Sequence, residues 1–493
     1  MQWGPLSVAV VRESETEVLW ILTNNPDAIS EENERGQSPL HLSCNWPRGM
    51  SLLLQFGGTK VINRPDNLNC LPLYYACKVG CIETVRLLLE ADSAFFSTSM
   101  DVLGYHVDGD VLRIAVACYA GTLLPLLIPA LVNRRNRLQQ LAFEHLPEHL
   151  YNSLGICPDR ILDKQAYQTY MALTVNGVLV PASLTCPDRI QTVYHNSHTP
   201  RSAEMLYEAG FLDIDELNFQ HVTPLMHVKV QLGGQYALYL PWLLSKGARI
   251  NCILPVLKAE DSKCMIVHQL AWKLGTCFFN ELFWQRNKQP PNQDVALFKF
   301  QLYSEQLRNV LTETLVKPVF DECVCSCSNN GCCPATKFLL ASSNIWTRHS
   351  KCNVQQVRLW FIDWILGYIE KVGDCNDAPD WLLAEIIRFE TFSKLGLTHT
   401  CRDMELLCRN AGPHYERLTE EIKEIREEER LMIAQLDDLV VEFVAKYAEL
   451  GVSLLEFFEG YWEDRMEEVL DESGSVDEEE VRRLAELGVV LKE

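Results

Sequence analysis

The densest chemistry in this sequence lies in Asp321-Glu322-Cys323-Val324-Cys325-Ser326-Cys327-Ser328-Asn329-Asn330-Gly331-Cys332-Cys333-Pro334, where five cysteines fall between positions 323 and 333. Thiolates presented on a tight Gly/Asn/Ser turn fit a zinc knuckle, in which short loops bring sulfur to about 2.3 Å from the ion. Two cysteines separated by one residue can both reach one ion. Adjacent cysteines rarely do, so one of Cys332 and Cys333 is expected to pack rather than ligate. Further donors stand downstream: His349, Cys352, Cys375, His399 and Cys401. The expected site is one structural zinc held by Cys325, Cys327 and Cys332, with Cys401 or His399 closing the tetrahedron. Two other readings stay open, reduced thiols that only pack and a redox or catalytic thiol. A catalytic zinc needs an open coordination position and a nearby base, yet neither HExxH nor HxE followed by PCxxC occurs. The P-loop, the Gly-rich dinucleotide fingerprint, GxSxG and the kinase motifs are also missing. No catalytic residue and no cofactor besides the zinc is expected.

The elements around this cluster read as helices, and those at the start of the chain recur. Gly36-Gln37-Ser38-Pro39-Leu40-His41-Leu42-Ser43-Cys44 is followed by Leu71-Pro72-Leu73-Tyr74-Tyr75-Ala76-Cys77 and preceded by Pro5-Leu6-Ser7-Val8-Ala9-Val10, a spacing of 33–34 residues between prolines. Pro39 and Pro72 suit the first turn of a helix, where a missing N–H costs nothing. Gly80 suits the left-handed position that ends one. Ile82 to Leu89 then reads as a second helix, as do Val18 to Leu22 and Ser51 to Leu54.

This pattern resembles the ankyrin family, whose GxTPLHxAA is matched by GQSPLHLSC. The resemblance implies a solenoid of stacked helix pairs, since one pair cannot bury its own apolar face. A looser unit is expected with its inner helix ending at Gly121 and its outer helix over 123–131. The pattern fades over 133–197, which reads as a distorted repeat or an inserted segment. It returns in Thr223-Pro224-Leu225-Met226-His227 and in Leu243-Leu244-Ser245-Lys246-Gly247-Ala248-Arg249-Ile250-Asn251, with a weaker unit ending at Gly275. The family further implies protein binding by turn tips, here near 31–36, 64–71 and 213–222, and by inner helices. His41 is expected to bond between neighbouring turns rather than to react.

Beyond residue 414 the period stays helical and the charge changes. Residues 416–493 carry 25 acidic and 9 basic side chains, a net of −16, out of −22 for the whole chain. Ile422, Ile425, Met432, Leu436, Leu439 and Phe443 recur at helical steps, and Gly451 ends the run. Ser453-Leu454-Leu455-Glu456 is a capping box opening a helix with Phe457, Phe458, Tyr461 and Trp462, aromatics dense enough to require burial. A last short helix is expected from Asp477 to Gly488.

With 47% apolar residues in 493, the chain has enough hydrophobic material for several cores. An acidic chain without a basic stripe argues against nucleic acid and against anionic membranes. No apolar run reaches the ~20 residues that span a bilayer, and the N-terminus lacks a signal peptide's basic start and cleavage site. A cytoplasmic or nuclear place is therefore expected, with most of the 19 cysteines reduced and packed.

The segments 323–334 and 388–401, the latter reading RFETFSKLGLTHTC, resemble a C-terminal region recurrent in ankyrin proteins of filamentous fungi. That resemblance implies an architecture and no activity. Where the family often has another residue after Gly-Cys, this chain has Cys333, which puts Cys333 in doubt as a ligand. The fold expected is all-α: an interrupted ankyrin-repeat solenoid, a Cys-rich helical module and an acidic helical tail. Its divisions fall at 1–135 (repeats), 136–198 (degenerate or inserted), 199–285 (second repeat block), 286–413 (Cys-rich module) and 414–493 (tail). The function expected is a non-catalytic adaptor or scaffold that binds a protein partner. The alternative is a metal- or thiol-dependent enzyme built on Cys323 to Cys333, His399 and Cys401.

Overall fold

A computed structural model describes residues 3–96, 111–186, 192–197, 199–218, 222–228, 238–250, 266–286, 305–321, 325–328, 330–346, 355, 358–359, 362–363, 365–367, 380–401 and 414–474. Among them there is no strand, and no helix is long and apolar enough to cross a membrane. The chain divides into two units, one of residues 1–228 and 234–249, the other of 229–233 and 250–493.

The first unit opens with three helix pairs: α1 (Pro5–Val11) with α2 (Glu15–Asn24), α3 (Pro39–Leu42) with α4 (Pro47–Gln55), and α5 (Pro72–Val79) with α6 (Ile82–Glu90). The inner helices begin at Pro5, Pro39 and Pro72, and Gly80 ends α5 in the left-handed region with φ 79°. Inner helices stack on inner helices and outer on outer, α1 on α3 on α5 and α2 on α4 on α6. The stack buries Leu6, Ala9, Leu40, Met50, Leu53, Leu73, Ala76, Val85 and Leu88 almost completely, about 1.5–3 kcal/mol for each large aliphatic.

Next comes α7 (Val111–His145), and here the expected break at Gly121 does not occur: one helix of 35 residues runs through Gly121, Pro125 and Pro129. The reason is the burial pattern. Val111, Leu112, Ala115, Val116, Leu123, Leu124, Leu127, Leu131, Leu138 and Ala142 are all buried, and their steps of three, four and seven keep one helix face turned inward across the glycine. The far half of α7 shares a core with α8 (Glu148–Ser153) and α9 (Gln165–Val175), in which Leu138, Ala142, Leu146, Ile156, Leu162, Ala166, Leu173, Leu184 and Cys186 meet. Repeat-like elements resume with α10 (Val193–Asn196), α11 (Pro200–Glu208), α12 (Pro224–His227) and α13 (Tyr239–Ser245).

The second unit begins with α14 (Ile266–Arg286), which packs closely on α16 (Pro334–Trp346), with α15 (Glu305–Leu315) beside both. Gly275 does not end a repeat helix as expected; α14 continues past it. A Cβ at Gly275 would stand 2.4 Å from the carbonyl oxygen of Phe338, so this glycine is what lets the two backbones approach. Helix α17 (Asp380–Lys394) follows and is almost wholly buried from Glu385 to Phe392. On it lies the tail: α18 (His414–Glu428), α19 (Arg430–Leu450), α20 (Leu454–Phe457) and α21 (Glu463–Gly474).

The tail aromatics are buried as their density required. Phe443, Phe457, Phe458 and Trp462 are each at most 1% exposed, and the Trp462 indole N–H donates to Thr391 Oγ1 at 3.0 Å. Gly451 ends α19 with φ 60°, and Ser453 and Glu456 form the capping box of α20. Gly460 departs from helical geometry between α20 and α21, a kink the periodicity did not announce. Residues 475–493, with the helix expected over 477–488, lie outside the described residues.

Candidate metal centre and docking surface

The loop from Asp321 to Cys333 is fixed by polar groups supplied from three helices. Asp321 and Cys332 exchange hydrogen bonds: Asp321 N–H donates to the Cys332 carbonyl at 3.0 Å, and Cys332 N–H to Asp321 Oδ1 at 2.7 Å. The buried Lys337 ammonium on α16 neutralises Asp321 at 3.1 Å. From α14, His268 Nε2–H reaches the Cys332 carbonyl at 2.8 Å and the Val319 carbonyl at 3.1 Å. From α17, Arg388 Nε–H donates to the Ser326 carbonyl at 3.0 Å. Gly331 adopts φ +94°, and a Cβ there would fall 1.8 Å from the Asp321 carbonyl oxygen. Only glycine fits.

A second segment meets this loop. Gly396, at φ +73°, stops α17, and the chain turns through Leu397-Thr398-His399-Thr400-Cys401. The His399 ring packs against Phe389 and Phe392, with centroids 5.3 and 4.6 Å away. The four ligand atoms of Cys325, Cys327, His399 and Cys401 all lie within 4.8 Å of one another. Cys401 Sγ is 3.7 Å from Cys327 Sγ and 3.7 Å from His399 Nδ1. A tetrahedron with Zn–S bonds of about 2.3 Å has edges of about 3.8 Å, so these separations would suit ligands around one ion. Cys325, Cys327 and Cys401 are 2%, 0% and 6% exposed.

Cys332, the remaining expected ligand, sits 3.7 Å from Cys327 Sγ but outside the mutual group of four. The structure thus brings four of the five expected donors into one group, with both His399 and Cys401 in it where one was expected and Cys332 beside it. Cys333 faces Thr336 instead, at 3.1 Å from its hydroxyl and 3.4 Å from its N–H, and burial pushes its thiol up to about 12. Cys323, His349, Cys352 and Cys375 lie outside the described residues. Thiols this close cannot all ionise without a cation. Hydrogen bonds from Cys327 and Cys401 hold Cys325 far below the usual thiol range, while the hydrogen bonds with Cys325 and Cys332 push Cys327 up. Asp321, His268 and Arg388 had no local signal in the sequence; each acts across 11 to 64 positions.

In the first unit the turns are bonded to one another. Asn67 N–H donates to the Arg35 carbonyl at 2.9 Å, its side-chain amide to the Glu34 carbonyl at 3.0 Å, and Arg64 pairs with Glu32 at 2.9 Å. His41 Nδ1 accepts from Ser38 N–H at 3.0 Å, so Nε2 carries the proton and donates to the Cys70 carbonyl at 3.1 Å. The helix pairs recur every 33–34 residues, and one pair of turns is bridged by His41 of Ser-Pro-Leu-His. Residues 6–98 match the family model for ankyrin repeats, in three copies.

No curated protein matches the chain in sequence. Among solved structures, the ankyrin repeat domain of Bcl-3, described as a unique member of the IkappaB protein family, is similar at 16% identity over 54% of this chain and 93% of that one, with TM-score 0.33. The human ASB11 ankyrin repeat domain is similar at 14% identity over 54% and 91%, with TM-score 0.30. The ankyrin repeat protein EF0377 is similar at 14% identity over 56% and 98%, with TM-score 0.25.

The bonding of His41 recurs where the sequence pattern had faded. His195 Nε2–H donates to the Val222 carbonyl at 2.8 Å while Nδ1 accepts from Thr192 at 2.6 Å. Thr192-Val193-Tyr194-His195 keeps the hydroxyl and the imidazole three residues apart, as Ser38 and His41 are, but lacks the Pro-Leu that makes the motif visible. The tip of the later turn is tied by Asp215 to Arg249 at 3.0 Å.

Proposed function

We propose that this chain is a non-catalytic scaffold that binds a protein partner through the turns and inner helices of its ankyrin repeats. Ankyrin repeats in general mediate protein–protein interaction. The observation that carries the reading here is the bonded turn ladder, in which Glu32, Glu34, Arg35, Arg64, Asn67 and Leu68 are exposed while the backbone beneath them is locked by the bonds from Asn67 and His41. A surface ordered before binding loses little conformational entropy on binding. The test is affinity capture with the full chain and with an Arg35→Glu/Leu68→Asp variant. The expected result is a partner retained by the first and lost by the second; equal capture by both removes the ladder from the reading.

The same reading includes one structural zinc with Cys325, Cys327, His399 and Cys401 as ligands and Cys332 beside them. Four donors complete a tetrahedron, and the near-zero exposure of the thiols leaves no open position for a substrate, which favours a structural over a catalytic ion. The likeness of segments 323–334 and 388–401 to the C-terminal region of fungal ankyrin proteins supports treating them as parts of one module. Metal analysis of the reduced protein is expected to give one zinc per chain, released on unfolding. A readily exchangeable zinc would favour the enzyme alternative. The excess of acidic groups supports a partner that is neither nucleic acid nor membrane, and the reduced, packed thiols support a cytoplasmic or nuclear place.

A further inference from the structure

We propose that the zinc centre clamps the acidic tail onto the Cys-rich module, so that metal loss releases α19 to α21 from α17. The proposal rests on the zinc reading above and adds what the ion controls.

One ligand segment touches the tail directly and the other reaches it through Arg388 of α17, each at a residue next to a ligand. Ser326, between Cys325 and Cys327, accepts from Arg388 Nε–H at 3.0 Å, and Arg388 Nη1 pairs at 2.7 Å with Asp437 of α19. Thr398, beside His399, donates its N–H at 2.9 Å to Glu429, the residue that joins α18 to α19. Arg388 is 3% exposed, and a buried guanidinium needs its partners in place. The two ligand segments meet through the sulfurs of Cys327 and Cys401 at 3.7 Å. Thiol hydrogen bonds are weak, whereas a zinc ion bonded to both segments fixes their spacing. Without the ion the loop at Ser326 and the turn at Thr398 are free to separate, and both tail contacts loosen with them.

What then opposes release is the aromatic packing, the bond from Trp462 to Thr391 and the ion pair of Lys394 with Glu463 at 2.5 Å. What favours it is charge. The region from 416 onward has a net charge of −16, and carboxylates such as Glu420, Glu421, Glu424, Glu427 and Glu428 crowd one short helix, which disfavours the compact arrangement. A released tail presents Phe443, Phe457, Phe458 and Trp462 on an acidic helix pair.

Hydrogen exchange of the full-length protein, zinc-loaded and after chelation under reducing conditions, tests this. Removal is expected to speed amide exchange in 430–450 and 463–474 by about tenfold or more, with α14, α16 and the repeats at 5–90 unchanged. A Glu429→Ala/Asp437→Ala variant is expected to bind one zinc per chain while its tail exchanges fast with or without the ion. Tail exchange that ignores removal of a bound zinc overturns the clamp and leaves the zinc reading standing. Loss of protection in α14 and α16 as well also overturns it, since the ion would then hold the module as a whole. A full-length protein that takes up no zinc removes both.

Discussion

His41 Nε2 donates to the carbonyl of Cys70, 29 residues on, at 3.1 Å, and His195 repeats the bond to Val222, 27 residues on, at 2.8 Å. Each ring also accepts from its own helix start, so it satisfies a buried group on two turns at once. His41→Ala therefore strands Ser38 N–H, while the Cys70 carbonyl keeps the bond from Asp66 N–H. A loss of about 1–3 kcal/mol is expected from one unsatisfied buried group, read as a lower urea midpoint for the repeat unit.

Acid should act on the same two residues. Burial lowers the pKa of His41 below its ordinary 6.5 and that of His195 to about 3. The unfolded chain thus takes up protons below 6.5 that the folded chain refuses. The stabilising effect of the neutral rings is complete above that value and falls below it, for His195 down to about 3. His195 contributes a slope of about 1.4 kcal/mol per pH unit in that window, and His41 adds to the decline just below 6.5. Denaturation from about pH 7 down to about pH 5 should show the decline, and it should be shallower in a His195→Gln variant.

Two glycines of similar dihedral should differ sharply on substitution. Gly331→Ala drives a Cβ to 1.8 Å from the Asp321 carbonyl, whereas a Cβ at Gly451 meets nothing within 4 Å. Gly451→Ala is expected to cost about 1–2 kcal/mol, the left-handed penalty alone. Gly331→Ala adds a backbone clash and should exceed about 4 kcal/mol, lowering zinc content as well. Thermal unfolding and metal analysis of the two variants give the comparison.

The sulfur geometry separates ligand from neighbour. Cys325→Ser or Cys401→Ser is expected to lower zinc affinity by at least about 100-fold, whereas Cys332→Ser should leave one zinc per chain. Competition with a chromogenic chelator measures this; equal losses at 325 and 332 would assign the site to four thiols.

Arg358 and Glu390 form a buried two-bond ion pair at 2.8 and 2.7 Å. Glu390→Gln leaves the guanidinium uncompensated and should cost about 3–5 kcal/mol, while Arg358→Met/Glu390→Leu should cost less than the single change. Chemical denaturation of the parent and the two variants gives the comparison.

Much of this was legible in the residues because the signals are local. Pro39 and Pro72 at helix starts, Gly80 and Gly451 at helix ends and the Ser453–Glu456 box act within one turn, and each behaves as its chemistry requires. Gly121 and Gly275 misled because a glycine marks a helix end only when the chain beyond it changes direction. Here a buried apolar stripe continues past Gly121, and at Gly275 the absent side chain serves the approach of Phe338. The cap at Thr192 escaped notice because proline only pre-shapes the turn, while the hydroxyl and imidazole make the bonds. The meeting of 325–327 with 399–401 joins residues 74 positions apart, and the sequence could offer its donors but not their pairing.

Helix α7, described above as one unbroken run from 111 to 145, is about 50 Å of rod at 1.5 Å per residue. Its first half is the wall of the third repeat and its second half the wall of the neighbouring core. No truncation point inside it leaves both cores closed, so the repeats cannot be trimmed away one at a time as in a simple array. The smallest autonomous piece of this half of the molecule must extend past Cys186, and shorter fragments should expose Leu138, Ala142 and Leu173 and precipitate.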